Sequence, residues 1–220
     1  MDHEERYLEA VTAAEAEVSR VLLTLLFTDI VGSTERAAKL GDRAWMNVVE
    51  AHHAMVRGLF TRFDGREVDC AGDGFFATFD TASSAIRCGD AITASVRPLG
   101  LEVRAGLHTG ECEHRDGRFR GIAVHTAARL ARLALPGEVL VTATVRDVVA
   151  GSGIRFEDRG SRTLKGVPGL WQLYAVAGRQ PLDPRVPAPG YRDGLRLERS
   201  GRRAGPRTAP YSGARTVRNG

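Results

Sequence analysis

Gly72-Asp73-Gly74 stands between two runs of strand-forming residues, REVDCA and FFATF, and forces the chain to reverse within a few residues. A sheet built around this hairpin must be completed by its flanks. Upstream, Trp45, Val48, Val49, His52, Met55, Val56, Leu59, Phe60 and Phe63 recur at steps of three and four, which predicts a long amphipathic helix. Asp42 is placed to cap its start. Ahead of that helix, Leu22 to Thr28 reads as a buried strand, and Gly32-Ser33-Thr34 punctuates it with hydroxyls suited to cap a following helix. Downstream, residues 81–97 read as a second helix ended by Pro98 and Gly100, followed by the strand LEVRAGLHTG and the polar loop EHRDGRFRG. A third helix from Val124 to Ala134 stops at Pro136 and Gly137; EVLVT is a strand, TVRDVVAG a short helix, and IRFEDRG and WQLYAV are the last strands. Strand, helix, hairpin, helix, strand, helix, strand is the order of an α/β (α+β) chain: a ferredoxin-like open sheet with packed helices.

Charge divides the chain before it describes it. From Pro181 to Gly220 nine Arg face three acidic residues, a net +6 that leaves −2 for the rest of a chain whose total is +4. The same stretch holds six of the nine Pro and no periodic apolar pattern, so it buries too little to offset the entropy of ordering. Residues 179–220 are therefore expected to be a basic disordered tail. Without interleaved aromatics or an amphipathic helix, its Arg residues are expected to be a solvated extension rather than a nucleic-acid or anionic-lipid interface. Residues 1–20, rich in Ala and Glu and free of Gly and Pro, are expected to be helical. That leaves 21–178 as the folded domain. Cys70, Cys88 and Cys112 are an odd count with no C-x-x-C pair, which speaks against a disulfide framework or zinc ribbon and for the reducing cytoplasm. No apolar run approaches the roughly 20 residues of a membrane span, and the start of the chain does not read as a signal peptide.

Two carboxylates ask for a cation. Asp29 ends the first strand within FTDIVGST, and Asp73 sits at the hairpin tip within AGDGF. With the hairpin beside the first strand the two converge at one sheet edge, where bare charges at 4 Å would repel by ~4 kcal/mol at an effective dielectric of 20. A divalent cation removes that repulsion, and hard oxygen ligands suit Mg²⁺ or Mn²⁺, which arrive with phosphates. The turn at Gly32, Ser33 and Thr34 adds the free N–H groups of a helix start, an anion site. The structural alternative is that Asp29 is a turn or capping residue and that Asp73-Gly74 is a common hairpin turn.

Residues 21–176 resemble the catalytic domain of class III nucleotidyl cyclases, the adenylyl and guanylyl cyclase family. FTDIVGSTERAAKLGD, AGDGFFATF, VRAGLHTGE, GIAVHTAARL and LKGVPGLWQLYAV carry the likeness in order and spacing. The resemblance implies a homodimer with sites at the subunit interface and two metals per site, Mg²⁺ or Mn²⁺, held by Asp29, Asp73 and the Ile30 carbonyl. It implies conversion of ATP or GTP to a 3′,5′-cyclic nucleotide and pyrophosphate, without a covalent enzyme intermediate. Arg129 matches the family's transition-state arginine and Lys165 its triphosphate-binding lysine.

Three family positions depart, and all concern the nucleoside. Asp69 stands where adenylyl cyclases carry a base-reading Lys, Arg118 where adenine readers carry Asp, and His125 where a ribose-orienting Asn is usual. A carboxylate and a guanidinium match the inverted polarity of guanine, so Asp69 with Arg118 would favour GTP; alternatively the two pair with each other and occlude the base pocket. His125 either donates to a ribose oxygen or merely faces solvent. His108, Cys112 and His114 lack a fourth metal partner and read as strand and loop residues, and His52 and His53 as packed helix residues. A different class of function is a catalytically silent nucleotide-binding regulatory module. Diguanylate cyclase shares the sheet plan, but AGDGF lacks the acidic neighbour of that family's GGDEF signature.

Overall fold

The computed structural model describes residues 19–115 and 117–177, and the expected N-terminal helix over 1–18 and the basic tail lie outside the described residues. Ser19 and Arg20, taken as the end of that helix, belong instead to strand β1 (Ser19–Ile30), because they pair with His114 and Glu113 of a neighbouring strand. The chain continues through α1 (Ser33–Leu40), α2 (Asp42–Arg62), β2 (Arg66–Ala71), β3 (Gly74–Phe79), α3 (Ala82–Ser95), β4 (Val103–Arg115), β5 (Arg118–Arg120), α4 (Ile122–Leu133), β6 (Val139–Thr142), α5 (Ala143–Val148), β7 (Arg155–Leu164) and β8 (Val167–Ala177).

One sheet contains all eight strands of the described residues, in the order β2-β3-β1-β4-β6-β8-β7 with β5 paired to the outer part of β4. The segment β2-β3-β1-β4 is antiparallel throughout, the ferredoxin-like plan expected from the sequence. β6 adds to β4 in parallel, reached through α4, and β8 and β7 extend the sheet as an antiparallel pair.

Strand alternation distributes the core between two faces. Leu26, Phe75, Phe79, Leu107 and Val141 point to one face, where Val56, Leu59 and Phe60 of α2, Ile86 and Ile92 of α3 and Val145 of α5 pack on them. Leu25, Phe76 and Cys112 point to the other, under Ala123 and Ala127 of α4. Small residues on α4 let it approach β4 closely: a Cβ on Gly106 would lie 2.1 Å from the Ala131 backbone nitrogen.

Three local expectations change. The segment EHRDGRFRG is not a plain loop but carries β5, paired through Glu113↔Arg120 and Arg115↔Arg118. Gly41, not Asp42, takes the cap position of α2, and Asp42 is its first helical residue. Gly32, in a left-handed conformation (φ 66°), takes the cap position of α1, so neither Ser33 nor Thr34 caps it through a hydroxyl.

Candidate active site

The hairpin is fastened to the end of β1. Thr28 pairs with Phe75, and the Phe75 backbone N–H also donates to Thr28 Oγ1 at 3.2 Å. The β1–β3 pairing ends there, with Asp29 next after Thr28 on β1 and Asp73 at the hairpin tip two residues before Phe75. The turn residues are Gly72 and Asp73, between the paired Ala71 and Gly74, rather than Asp73-Gly74. Gly72 supplies the positive φ of 65°. Gly74 already belongs to β3, and it must be glycine for a different reason: a Cβ there would stand 2.7 Å from the Thr28 carbonyl oxygen.

The two carboxylates have different partners. Oδ2 of Asp73 is buried and accepts no hydrogen bond. Oδ2 of Asp29 accepts from Arg104, whose Nε lies at 2.9 Å and whose Nη2 binds the same oxygen. Arg104 is the β4 register partner of Asp29, and its Nη1 donates to the Arg132 carbonyl at the end of α4 at 3.1 Å. Sequence reasoning missed Arg104. Its signal lies in the antiparallel pairing of FTDI with VRAG, which becomes visible only once the register is known.

Both carboxylates lie at the same end of the neighbouring strands β1 and β3 but open into different clefts. Asp73 shares a cleft of about 490 Å³ with Ser33, Thr34, Glu50 and His53, walled by Trp45 and Met46. Asp29 shares one of about 220 Å³ with Asp69, Phe76 and Arg132. Among the described residues no cluster of three or more His, Cys, Asp or Glu side chains comes together, so any cation here relies on this pair and on backbone oxygen such as that of Ile30. A buried carboxylate oxygen without a donor is the feature that such a cation would satisfy.

A second group of expected residues gathers on α4. His125 is exposed on its first turn, and Arg129, one turn on, is half-buried. Arg129 Nε donates to the Lys165 backbone carbonyl at 3.0 Å, which brings the turn between β7 and β8 against α4 with the Lys165 side chain exposed. No hydrogen bond or ion pair among the described residues links this group to Asp29 or Asp73.

The nucleoside positions separate. Asp69 pairs with Phe76 beside an irregularity in β2, and Phe76 stacks on Phe27 at 4.3 Å. Arg118 is exposed on β5 and makes no hydrogen bond or ion pair with Asp69. The guanidinium that shares the Asp69 cleft belongs to Arg132.

His52, His53, His108 and His114 pack against neighbouring rings. His108 is buried against Trp171, its Nδ1 lies 2.9 Å from the Thr142 hydroxyl, and burial lowers its pKa to about 4. His114 stacks on Phe119. His52 is fully buried with neither ring nitrogen hydrogen-bonded; burial, and secondarily the neighbouring His53, lower its pKa to about 4, against a smaller opposite effect of the Asp73 backbone. His53 Nε2 meets the Gly72 carbonyl oxygen at 3.1 Å.

Among the described residues no helix is long and apolar enough to cross a membrane. Residues 17–178 match the family model described as adenylate and guanylate cyclase catalytic domain. An uncharacterized protein of Mycobacterium tuberculosis is 39% identical over 151 residues, covering 66% of this chain and 52% of its own length. The receptor-type adenylate cyclase GRESAG 4.3 of Trypanosoma brucei brucei is 28% identical over 216 residues, 71% of this chain and 17% of the relative. The chain thus spans about half, or less, of these relatives. Among solved structures, the adenylyl cyclase CyaB from P. aeruginosa superposes with a TM-score of 0.69 at 24% identity, over 75% of this chain and 98% of that one. The guanylate cyclase domain of RhGC from Catenaria anguillulae, in complex with GTP, gives 0.66 at 18% identity, over 74% and 100%. These two likenesses are of fold. The match over 17–178, with the hairpin carboxylate beside the end of β1, identifies this chain as a member of the adenylate and guanylate cyclase catalytic domain family.

Proposed function

We propose that the domain is a metal-dependent nucleotidyl cyclase that converts ATP or GTP to a 3′,5′-cyclic nucleotide and pyrophosphate, working as a homodimer in the cytoplasm. The observation that carries this reading is the unpartnered, buried Oδ2 of Asp73 at the hairpin tip beside Asp29. Asp29, Asp73 and the Ile30 carbonyl would hold Mg²⁺ or Mn²⁺, two per site, and the cations would supply neutralisation of the triphosphate and a lowered pKa of the ribose 3′-hydroxyl.

The protein's own groups account for the remainder. In the reaction the 3′-oxygen bonds to the α-phosphorus, the bond to the bridging oxygen breaks in line, and pyrophosphate leaves while the hydroxyl proton passes to solvent. The uncapped start of α1 at Gly32, Ser33 and Thr34 offers backbone N–H groups to phosphate oxygens. Arg129, donating among the described residues through Nε to Lys165, would use its terminal nitrogens for charge on the α-phosphate, and the exposed Lys165 ammonium would reach the triphosphate. His125 would donate to a ribose oxygen. Arg104, bound to Asp29 here, would be free to donate to the triphosphate if Asp29 held a cation. The separation of the α4 group from the carboxylate pair supports a site completed by a second subunit.

Asp69 beside the Phe27–Phe76 stack supports guanine, whose N1–H and 2-amino donors need an acceptor. The partner guanidinium is Arg118 from its place in the family pattern, or Arg132 from its place in the cleft. The departures at 69, 118 and 125 equally support a second reading, a nucleotide-binding regulatory module without turnover. Assaying cyclic-nucleotide formation from GTP and from ATP with Mn²⁺ separates the two. GTP-preferring turnover lost in Asp29→Ala and Asp73→Ala supports the enzyme; nucleotide binding without turnover supports the module; clear ATP preference refutes the assignment of Asp69.

A further inference from the structure

Consecutive residues of an α-helix point about 100° apart, so it takes a particular docking of α2 for two neighbours to address one short loop. His52 and His53 do so. His53 Nε2 lies 3.1 Å from the Gly72 carbonyl oxygen, and His52, fully buried, packs beside the Asp73 backbone. Both rings meet Phe75 edge-on, at 5.8 Å for His52 and 5.0 Å for His53. Just over one turn on from His53, Arg57 makes two 2.8 Å hydrogen bonds to Glu67 of the same hairpin and lies 5.6 Å from the Phe75 ring centre. The helix therefore grips the hairpin from its arm to its tip.

A carbonyl oxygen only accepts, so His53 carries its proton on Nε2 and donates it to Gly72. Cys70 Sγ, 3.5 Å from the same nitrogen, is a weak partner on the adjoining strand. The Asp73 carboxylate has no hydrogen bond of its own at Oδ2, so its aim depends on where the loop backbone is held. A ligating group must be held within about 0.5 Å and 10–20° of its productive geometry to be useful.

We infer that His53 is a positioning residue for the Asp73 carboxylate, acting through its hydrogen bond to the Gly72 carbonyl and the packing of the His52–His53 pair on the hairpin. The role rests on the reading of Asp73 as a cation ligand. It assigns to α2 a task that the family motifs do not carry.

The test uses the full chain, with His53→Ala to remove the donor and His53→Gln to restore an N–H at nearly the same reach. Hydrogen exchange of the metal-free protein is followed over 69–76. His53→Ala is expected to speed exchange of the Gly72 to Phe75 amides about tenfold, leaving β4 and α3 unchanged, and His53→Gln to recover most of the protection. In parallel, Mn²⁺ uptake is titrated with a non-cyclisable nucleotide present. Half-saturation is expected to rise at least fivefold in His53→Ala and to return in His53→Gln. Unchanged exchange in His53→Ala with normal Mn²⁺ uptake by the parent, or a Gln variant no better than the Ala one, overturns the role alone. A parent chain that takes up no Mn²⁺ overturns the cation reading beneath it.

Discussion

Asp29 and Arg104 face each other as register partners across β1 and β4, and the guanidinium holds Oδ2 of the carboxylate through two of its nitrogens. The oxygen that the proposed cation would use is thus held by a fixed positive charge. With about a third of each side chain exposed, such a pair contributes about 1 kcal/mol or less.

Arg104→Gln is therefore expected to leave stability nearly unchanged while strengthening Mn²⁺ binding in the absence of nucleotide by about fivefold. Nucleotide binding should weaken about tenfold, because a cation beside the triphosphate is lost. Calorimetric titrations with Mn²⁺ alone and with nucleotide measure both, and weaker metal-only binding would contradict the account.

Arg129 should act on the rate. Its Nε bond to the Lys165 carbonyl is largely exposed, so Arg129→Ala should change the unfolding midpoint little while lowering kcat by about 10²–10³. Arg129→Lys should recover little of it, since an ammonium does not reproduce the guanidinium fork. A loss confined to KM would assign Arg129 to ground-state binding instead.

Much of this architecture is legible in the sequence because it rests on local rules. Gly72-Asp73-Gly74 announces the hairpin, and the apolar steps from Trp45 to Phe63 announce α2. What escaped depends on distant pairing or on backbone conformation. Arg104 gains meaning only from the β1–β4 register. β5 hides in EHRDGRFRG because an edge ribbon with one apolar residue, Phe119, has no alternation to read. Ser33 and Thr34 suggested a hydroxyl cap, but left-handed Gly32 occupies that position. Family spacing points to Arg118 as the partner of Asp69, and Arg132, which lines the same cleft as Asp69, carries no local sequence signal of that place.

Gly106 tests the contact that positions α4. A methyl group there would meet the backbone of α4 at three points, 2.1 Å from Ala131 N, 2.6 Å from Leu130 C and 2.8 Å from Ala127 O. Because backbone cannot rotate aside, Gly106→Ala should destabilise the fold by about 3 kcal/mol or more and displace Arg129 with the helix. Urea unfolding measures the first effect; a midpoint within error of the parent would contradict the close approach.

Acid sensitivity follows from two buried histidines. Burial lowers His52 and His108 to about 4, whereas in the unfolded chain each titrates near 6.5. Between these values the unfolded state binds more protons, so their contribution to stability is intact above pH ~6.5 and is lost as pH falls toward 4. Each should contribute a slope of up to about 1.4 kcal/mol per pH unit. Urea midpoints at three pH values from 6.5 to 5 measure it, and a flat profile would contradict the burial of both rings.

The most direct test of the cation pocket is the stoichiometry of Mn²⁺ uptake with a non-cyclisable GTP analogue present, in the parent chain, Asp29→Asn and Asp73→Asn. The account predicts two ions per site in the parent and loss of tight uptake in either variant. Uptake that persists unchanged in both variants would contradict it.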